Sequence, residues 1–209
     1  MITALNRRRM LTAGAMTLAL GMMLPPGMMP ATSPALAGSA KAAANPHPAV
    51  KYMQATAADL LRAHRAGTQK GFVRVLERRA DVHGIAMTSL GRYQSELPRN
   101  QRALYIRGVK HFMAKYFARQ SQKYRVKSAS IDPTPQRSGE DWLVRSQVEL
   151  TNGKRYNVTW RLRKTRHGWR VKDAKVLGFS LVYLQRGLFY KFLHRRRGDV
   201  RSLVMVLNR

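Results

Sequence analysis

The chain reads as one α+β domain: helices come first, an antiparallel sheet follows, and helices close the sequence, with the N-terminal helices packed on one face of a curved sheet. Three observations predict this. Apolar residues recur at three- and four-residue steps as far as Phe117, the spacing of a helical face. From about Tyr124 the period becomes two, and Asn152-Gly153, the strongest short-range hairpin signal, divides the two longest alternating runs. After Gly178 the helical spacing returns. Helices and strands segregated in this order suit an α+β layer architecture.

The first helix carries Val50, Met53, Ala57, Leu60, Leu61 and His64 on one face and stops at Gly67, where glycine permits the left-handed closing conformation. A second amphipathic segment holds Phe72, Val75 and Leu76, and Asp81 is placed to start a short helix through Ile85, Met87 and Leu90. Pro98 suits the first turn of a long helix with Leu104, Tyr105, Val109, Phe112, Met113, Tyr116 and Phe117. Strands are predicted at Tyr124 to Ile131 and Trp169 to Val176. Between them, Trp142, Val144, Ser146, Val148 and Leu150 alternate with Leu143, Arg145, Gln147 and Glu149, and Tyr156, Val158, Trp160 and Leu162 alternate with Arg155, Asn157, Thr159, Arg161 and Arg163. The sheet therefore has one apolar and one basic face. Ser180 caps the next helix, Arg197-Gly198 ends it, and Asp199 caps a last one bearing Leu203, Val204 and Leu207.

The N-terminus has the order of a cleaved export signal: Arg7-Arg8-Arg9, an uncharged apolar run from Met10 to Leu24, and the small-residue site Ala35-Leu36-Ala37. Residues 1–37 are read as the signal, cleaved after Ala37, residues 38–48 as a flexible leader and residues 49–209 as a single domain. Asn6 to Leu11 also approximates a twin-arginine signal, so both export routes stay open. The chain has no cysteine, which excludes a disulfide framework, a thiolate metal site and a lipidated cysteine. The net charge is +29, and +26 without Arg7, Arg8 and Arg9. In an exported protein such a field points to anionic lipid headgroups, acidic proteins or polysaccharide rather than nucleic acid.

Chemistry is sparse. Asp81 with His83, or Asp173 with His167, has the composition of an acid–base pair, but no nucleophile motif of the G-x-S-x-G type accompanies either. The six histidines are dispersed, without pairs at helical ligand spacing. No catalytic residue, metal site or cofactor is predicted, and the chain is expected not to be an enzyme.

Two segments carry a resemblance. Asp81-Val82-His83-Gly84 through Leu90-Gly91-Arg92-Tyr93, together with the strand, capped helix, glycine break and terminal helix from Trp169 to Leu207, resembles the MlaC or toluene-tolerance family of periplasmic phospholipid-binding proteins. The resemblance implies an NTF2-like cone open at one end. It also implies a periplasmic shuttle that moves phospholipid between an outer-membrane lipoprotein complex and an inner-membrane ABC transporter complex, maintaining outer-membrane lipid asymmetry. A hopanoid-like lipid is an alternative cargo.

The inward aromatic and aliphatic residues either fill a core or line a cavity, and the resemblance favours the cavity. The lipid-binding candidates are Leu90, Tyr93, Phe112, Tyr116, Trp142, Val148, Tyr156, Val158, Trp160, Phe179, Phe189 and Phe192. Arg145, Arg155, Arg161, Arg163, Arg170 and Lys172 form a candidate basic docking stripe on the outer sheet face. The alternative is a basic envelope adaptor or polyanion-binding protein with a packed core and no lipid cavity.

Overall fold

The first three helices each start or stop where a side chain or a glycine satisfies orphan backbone groups. The structure, a computed structural model, describes residues 45–209; the expected signal and the leader as far as residue 44 lie outside the described residues. Helix α1 (Pro48–Ala66) begins at the last residue assigned to the leader: His47 Nδ1 accepts from the Ala49 N–H at 3.1 Å, and Gly67, at φ 62°, closes it. Helix α2 (Gln69–Arg79) is capped by Thr68 and α3 (Val82–Leu90) by Asp81, which accepts from the Gly84 N–H at 2.9 Å. Pro98 precedes a 3-10 turn, Arg99–Gln101, rather than entering the long helix α4 (Arg102–Lys123) directly.

Six strands form one antiparallel sheet: β1 (Val126–Ile131), β2 (Gln136–Ser138), β3 (Asp141–Leu150), β4 (Arg155–Thr165), β5 (Gly168–Val176) and β6 (Phe179–Ser180). The order is β1-β3-β4-β5-β6, with β2 also on β3. Strands β2 and β6 escape the sequence reading. Asn152 and Gly153 do turn β3 into β4, through a four-residue connection in which Asn152 Oδ1 accepts from the Lys154 N–H at 3.2 Å. Helix α5 (Leu181–Arg195) is capped by Ser180, and Asp199 caps α6 (Val200–Leu207).

Two register shifts interrupt the sheet, between Val126 and Ser128 on β1 and opposite Arg161 and Leu162 on β5. Such bulges bend a strand and increase its twist. Apolar burial is divided among three clusters. The first joins α3, α4, α5 and α6 around Tyr105, Val109, Phe189 and Leu193. A second seals α1 against the sheet through Met53, Val144 and Leu162, and a third joins α1, α2 and α4 through Phe72, Leu76 and Ala114. The space bounded by these clusters and the sheet is hollow.

Candidate functional site

A cavity of about 700 Å³, partly open to solvent, lies between the helices and the inner sheet face. Helix α1 contributes Ala57, Leu60 and Leu61, α2 contributes Phe72, Val75 and Leu76, and α4 contributes Phe112, Met113, Tyr116 and Phe117. The sheet supplies Val148, Val158, Trp160, Val171 and Val176, and α5 completes the wall with Leu184, Gly187 and Leu188. The volume falls within the range of roughly 300–1,000 Å³ usual for ligand sites.

Helix α5 can form a wall because it has two apolar sides. Val182, Gln185, Phe189 and Leu193 are buried, the last two in the cluster with α3, α4 and α6. Leu184 and Leu188 stay more than half exposed beside the cavity. Nearby, the two-residue turn Leu177-Gly178 joins β5 to β6 and presents Leu177 and Phe179 at 64% and 65% exposure. Both turn residues have positive φ, 52° and 84°, as a type I′ hairpin requires.

Several polar atoms on or beside the wall are engaged by protein. Trp160 Nε1 donates to Ser146 Oγ at 2.9 Å, Thr56 Oγ1 to the Tyr52 carbonyl at 2.8 Å, and Gln185 Nε2 to Ser89 Oγ at 2.8 Å. Asp173 accepts from the Val182 N–H at 3.2 Å, tying β5 to the first turn of α5. His64 Nε2 accepts from the Val126 N–H at 3.0 Å, joining α1 to β1; burial lowers its pKa, with a backbone hydrogen bond to Tyr124 opposing. With these groups paired, the lining offers a ligand chiefly carbon.

Of the lipid-binding candidates, the structure brings Phe112, Tyr116, Val148, Val158 and Trp160 together on the cavity wall. The others lie elsewhere. Leu90 and Phe189 are buried in the α3–α6 cluster, with Phe192 and Tyr93 packed against it, so their apolar sides meet other helices. Trp142 stacks 4.1 Å from the His47 ring where α1 meets the sheet. Tyr156 is half-buried off the wall, and Phe179 points its bulk to solvent on the β5–β6 hairpin. The list missed the α1, α2 and α5 residues. Their helical spacing was visible, but nothing in it said that they face a void.

The model of the MlaC protein family matches residues 49–209. The chain belongs to the MlaC family. A solved structure of a phospholipid-binding protein from Ralstonia solanacearum, in complex with a phospholipid, is similar to it at 21% identity and a TM-score of 0.63. The match covers 78% of this chain and 96% of that one, and at such identity it shows the shared fold. No curated protein matches the chain.

In this MlaC chain the basic stripe is not continuous. Arg145, Arg155, Arg161 and Arg163 alternate on one sheet face, but three of them meet acids: Arg155 with Glu149 (3.4 Å), Arg163 with Asp141 (2.5 Å) and Glu140 (2.9 Å), and Arg161 with Asp141 (3.9 Å). The β5 bulge breaks the alternation, so Lys172 reaches Asp81 at the start of α3, 2.9 Å away, and Arg170 lies beside the Tyr52 hydroxyl. A second network sits behind the cavity, where Asp59, only 6% exposed, binds Arg62 and Arg79, the latter at 2.7 Å. Burial alone would raise the Asp59 pKa; the Arg79 hydrogen bond and the charges of Arg79, Arg62 and Arg78 outweigh it and hold the carboxyl below its ordinary value. Among the described residues, no helix is long and apolar enough to cross a membrane, and no cluster of His, Cys, Asp or Glu could hold a metal.

Proposed function

We propose that this chain is a periplasmic carrier that holds the acyl chains of a phospholipid in its cavity. In this reading it exchanges cargo between an outer-membrane lipoprotein complex and an inner-membrane ABC transporter complex, and catalyses no reaction. The observation that carries the proposal is the apolar cavity between helices and sheet. Membership of the MlaC family and the phospholipid in the Ralstonia solanacearum structure support it.

Energetics explain the need for depth. A diacyl lipid has on the order of 30 methylenes at ~0.8 kcal/mol each, so carrying it bare through water would cost about 24 kcal/mol. A shallow surface groove recovers little of that, whereas a deep apolar cavity recovers far more. Transfer between two such cavities then needs little net free energy, and ATP hydrolysis in the transporter supplies direction. The exposed Leu177, Phe179, Leu184 and Leu188 give a partner an apolar surface to seal against during exchange.

The test is organic extraction of the purified mature chain followed by lipid mass spectrometry. About one diacyl lipid per protein is expected. Protein that is empty after expression in a Gram-negative host, yet binds anionic vesicles with steep salt dependence, would overturn the carrier in favour of a basic envelope adaptor.

A further inference from the structure

Beside the cavity lies a smaller groove of about 270 Å³, lined by Tyr190, Lys191, His194 and Arg195 on the last two turns of α5. Lys191 lines both spaces, so the groove adjoins the cavity. We propose that this groove is a phosphate cradle that gives the carrier a preference for lipids of net negative headgroup; the proposal rests on the carrier reading above.

Two features support it. Among the described residues, neither Lys191, His194 nor Arg195 forms an ion pair, so no carboxylate competes with an anion for them. The Tyr190 hydroxyl is also oriented. The Arg92 guanidinium lies 4.8 Å over the Tyr190 ring and donates from Nη2 to its Oη at 3.1 Å. An oxygen that accepts from Arg92 keeps its own proton to donate, and an anionic oxygen in the groove is the natural acceptor. An ammonium, a guanidinium and a phenol donor on adjacent turns make a set suited to a phosphate diester, with Lys191 as a point charge and Arg195 as a forked donor. A headgroup with its own cation, such as choline, would meet like charge.

The shared chemistry, a phosphate, is also that of soluble phosphate esters, so the test has two arms. In the first, delipidated mature chain is equilibrated with vesicles of equal phosphatidylglycerol and phosphatidylcholine of identical acyl chains, and the loaded lipid is read by native mass spectrometry. Wild type is expected to load phosphatidylglycerol about tenfold over phosphatidylcholine at low salt. The double substitution Lys191→Glu and Arg195→Glu should bring the ratio of the two lipids near one. The matched pair Lys164→Glu and Arg166→Glu, at the β4–β5 turn, should leave it unchanged, which separates the groove from the overall field. Lys191→Gln with Arg195→Gln serves if the reversal impairs folding, and circular dichroism checks that α5 persists. Equal loading of both lipids by wild type, or a matched control that shifts the ratio as far as the groove variant, overturns the cradle alone. Loading of neither lipid overturns the carrier and the cradle together. In the second arm, glycerol 3-phosphate is titrated into delipidated protein by calorimetry. Weak or undetectable heat is expected, and binding as tight as that of the lipid would overturn the headgroup assignment in favour of a soluble phosphate ester.

Discussion

Replacing Gly187 separates stability from capacity. Gly187 lies within α5 on the cavity wall, and a Cβ added there meets no heavy atom within 4 Å. Glycine inside a helix is about 0.5–1 kcal/mol less stable than alanine, so Gly187→Ala should raise stability by that amount. Gly187→Leu keeps most of the gain and adds three further carbons on the cavity side. If each displaces one methylene of cargo at ~0.8 kcal/mol, long-chain lipid loses about 2.4 kcal/mol, roughly fiftyfold in affinity. The substitution should therefore stabilise the empty protein and weaken it as a carrier.

The assay pairs thermal unfolding of delipidated protein with titration of diacyl lipids of one headgroup and graded chain length. Trp160, on the cavity wall, supplies the fluorescence signal. For the leucine variant the melting point rises, long-chain affinity falls, and lipids shortened by a few methylenes bind as they do to wild type. A leucine variant that loses stability, or that binds every chain length like wild type, refutes the reasoning: Gly187 would then face something other than cargo.

Leu177→Asn should stabilise the fold by roughly 0.5–1 kcal/mol, because asparagine tolerates the left-handed conformation that costs leucine ~1–2 kcal/mol and the leucine side chain buries little. Denaturant midpoints measure this, and slower lipid exchange with acceptor vesicles is expected alongside if Leu177 serves contact. His64 gives stability a pH dependence. Its neutral form accepts from the Val126 N–H and its folded pKa lies below 6.5, so its contribution is complete above about pH 6.5 and is lost as pH falls through the lowered folded value. Urea midpoints should drop between pH 7.5 and 5.5 in wild type and drop less in His64→Gln; equal slopes in the two proteins would remove His64 from the account.

The caps were legible because they are local. Asp81, Ser180, Asp199, Gly67 and Gly198 act within a few residues of themselves, so sequence spacing contains what is needed. The cavity was legible only in part. Alternation along β3 and β4 places Val148, Val158 and Trp160 on the inner face, yet it places Trp142 and Tyr156 there with equal force. What separates them is what covers each: Trp142 lies under His47 where α1 meets the sheet, and Tyr156, although paired with Val148, is off the wall. Helical spacing has the same blindness. Leu90, Phe189 and Phe192 sit on apolar faces that meet other helices, while Leu60, Leu76 and Leu188 sit on apolar faces that meet empty space. The β5 features were hidden for a different reason. The Leu177-Gly178 turn puts leucine where asparagine or glycine is usual, and the bulge that diverts Lys172 to Asp81 leaves no mark on composition.

The high positive charge is better understood from the acids than from the bases. Asp59, Asp81, Asp141 and Glu149 are each held by at least one arginine or lysine, and Asp173 and Asp199 accept from the first turns of α5 and α6. These carboxylates are committed to holding helices and strands around a space that has no packing of its own. Removing the buried Asp59 would leave the half-buried Arg79 without its carboxylate, a loss of about 1.5–3 kcal/mol, whereas the exposed pairs contribute about 0–1 kcal/mol each. A hollow fold needs this, since side chains facing the cavity make fewer contacts than those in a filled core. With the acids tied up in the scaffold, cations elsewhere stay unneutralised. Lys191 on α5 is one of them, and it borders both the cavity and the smaller groove.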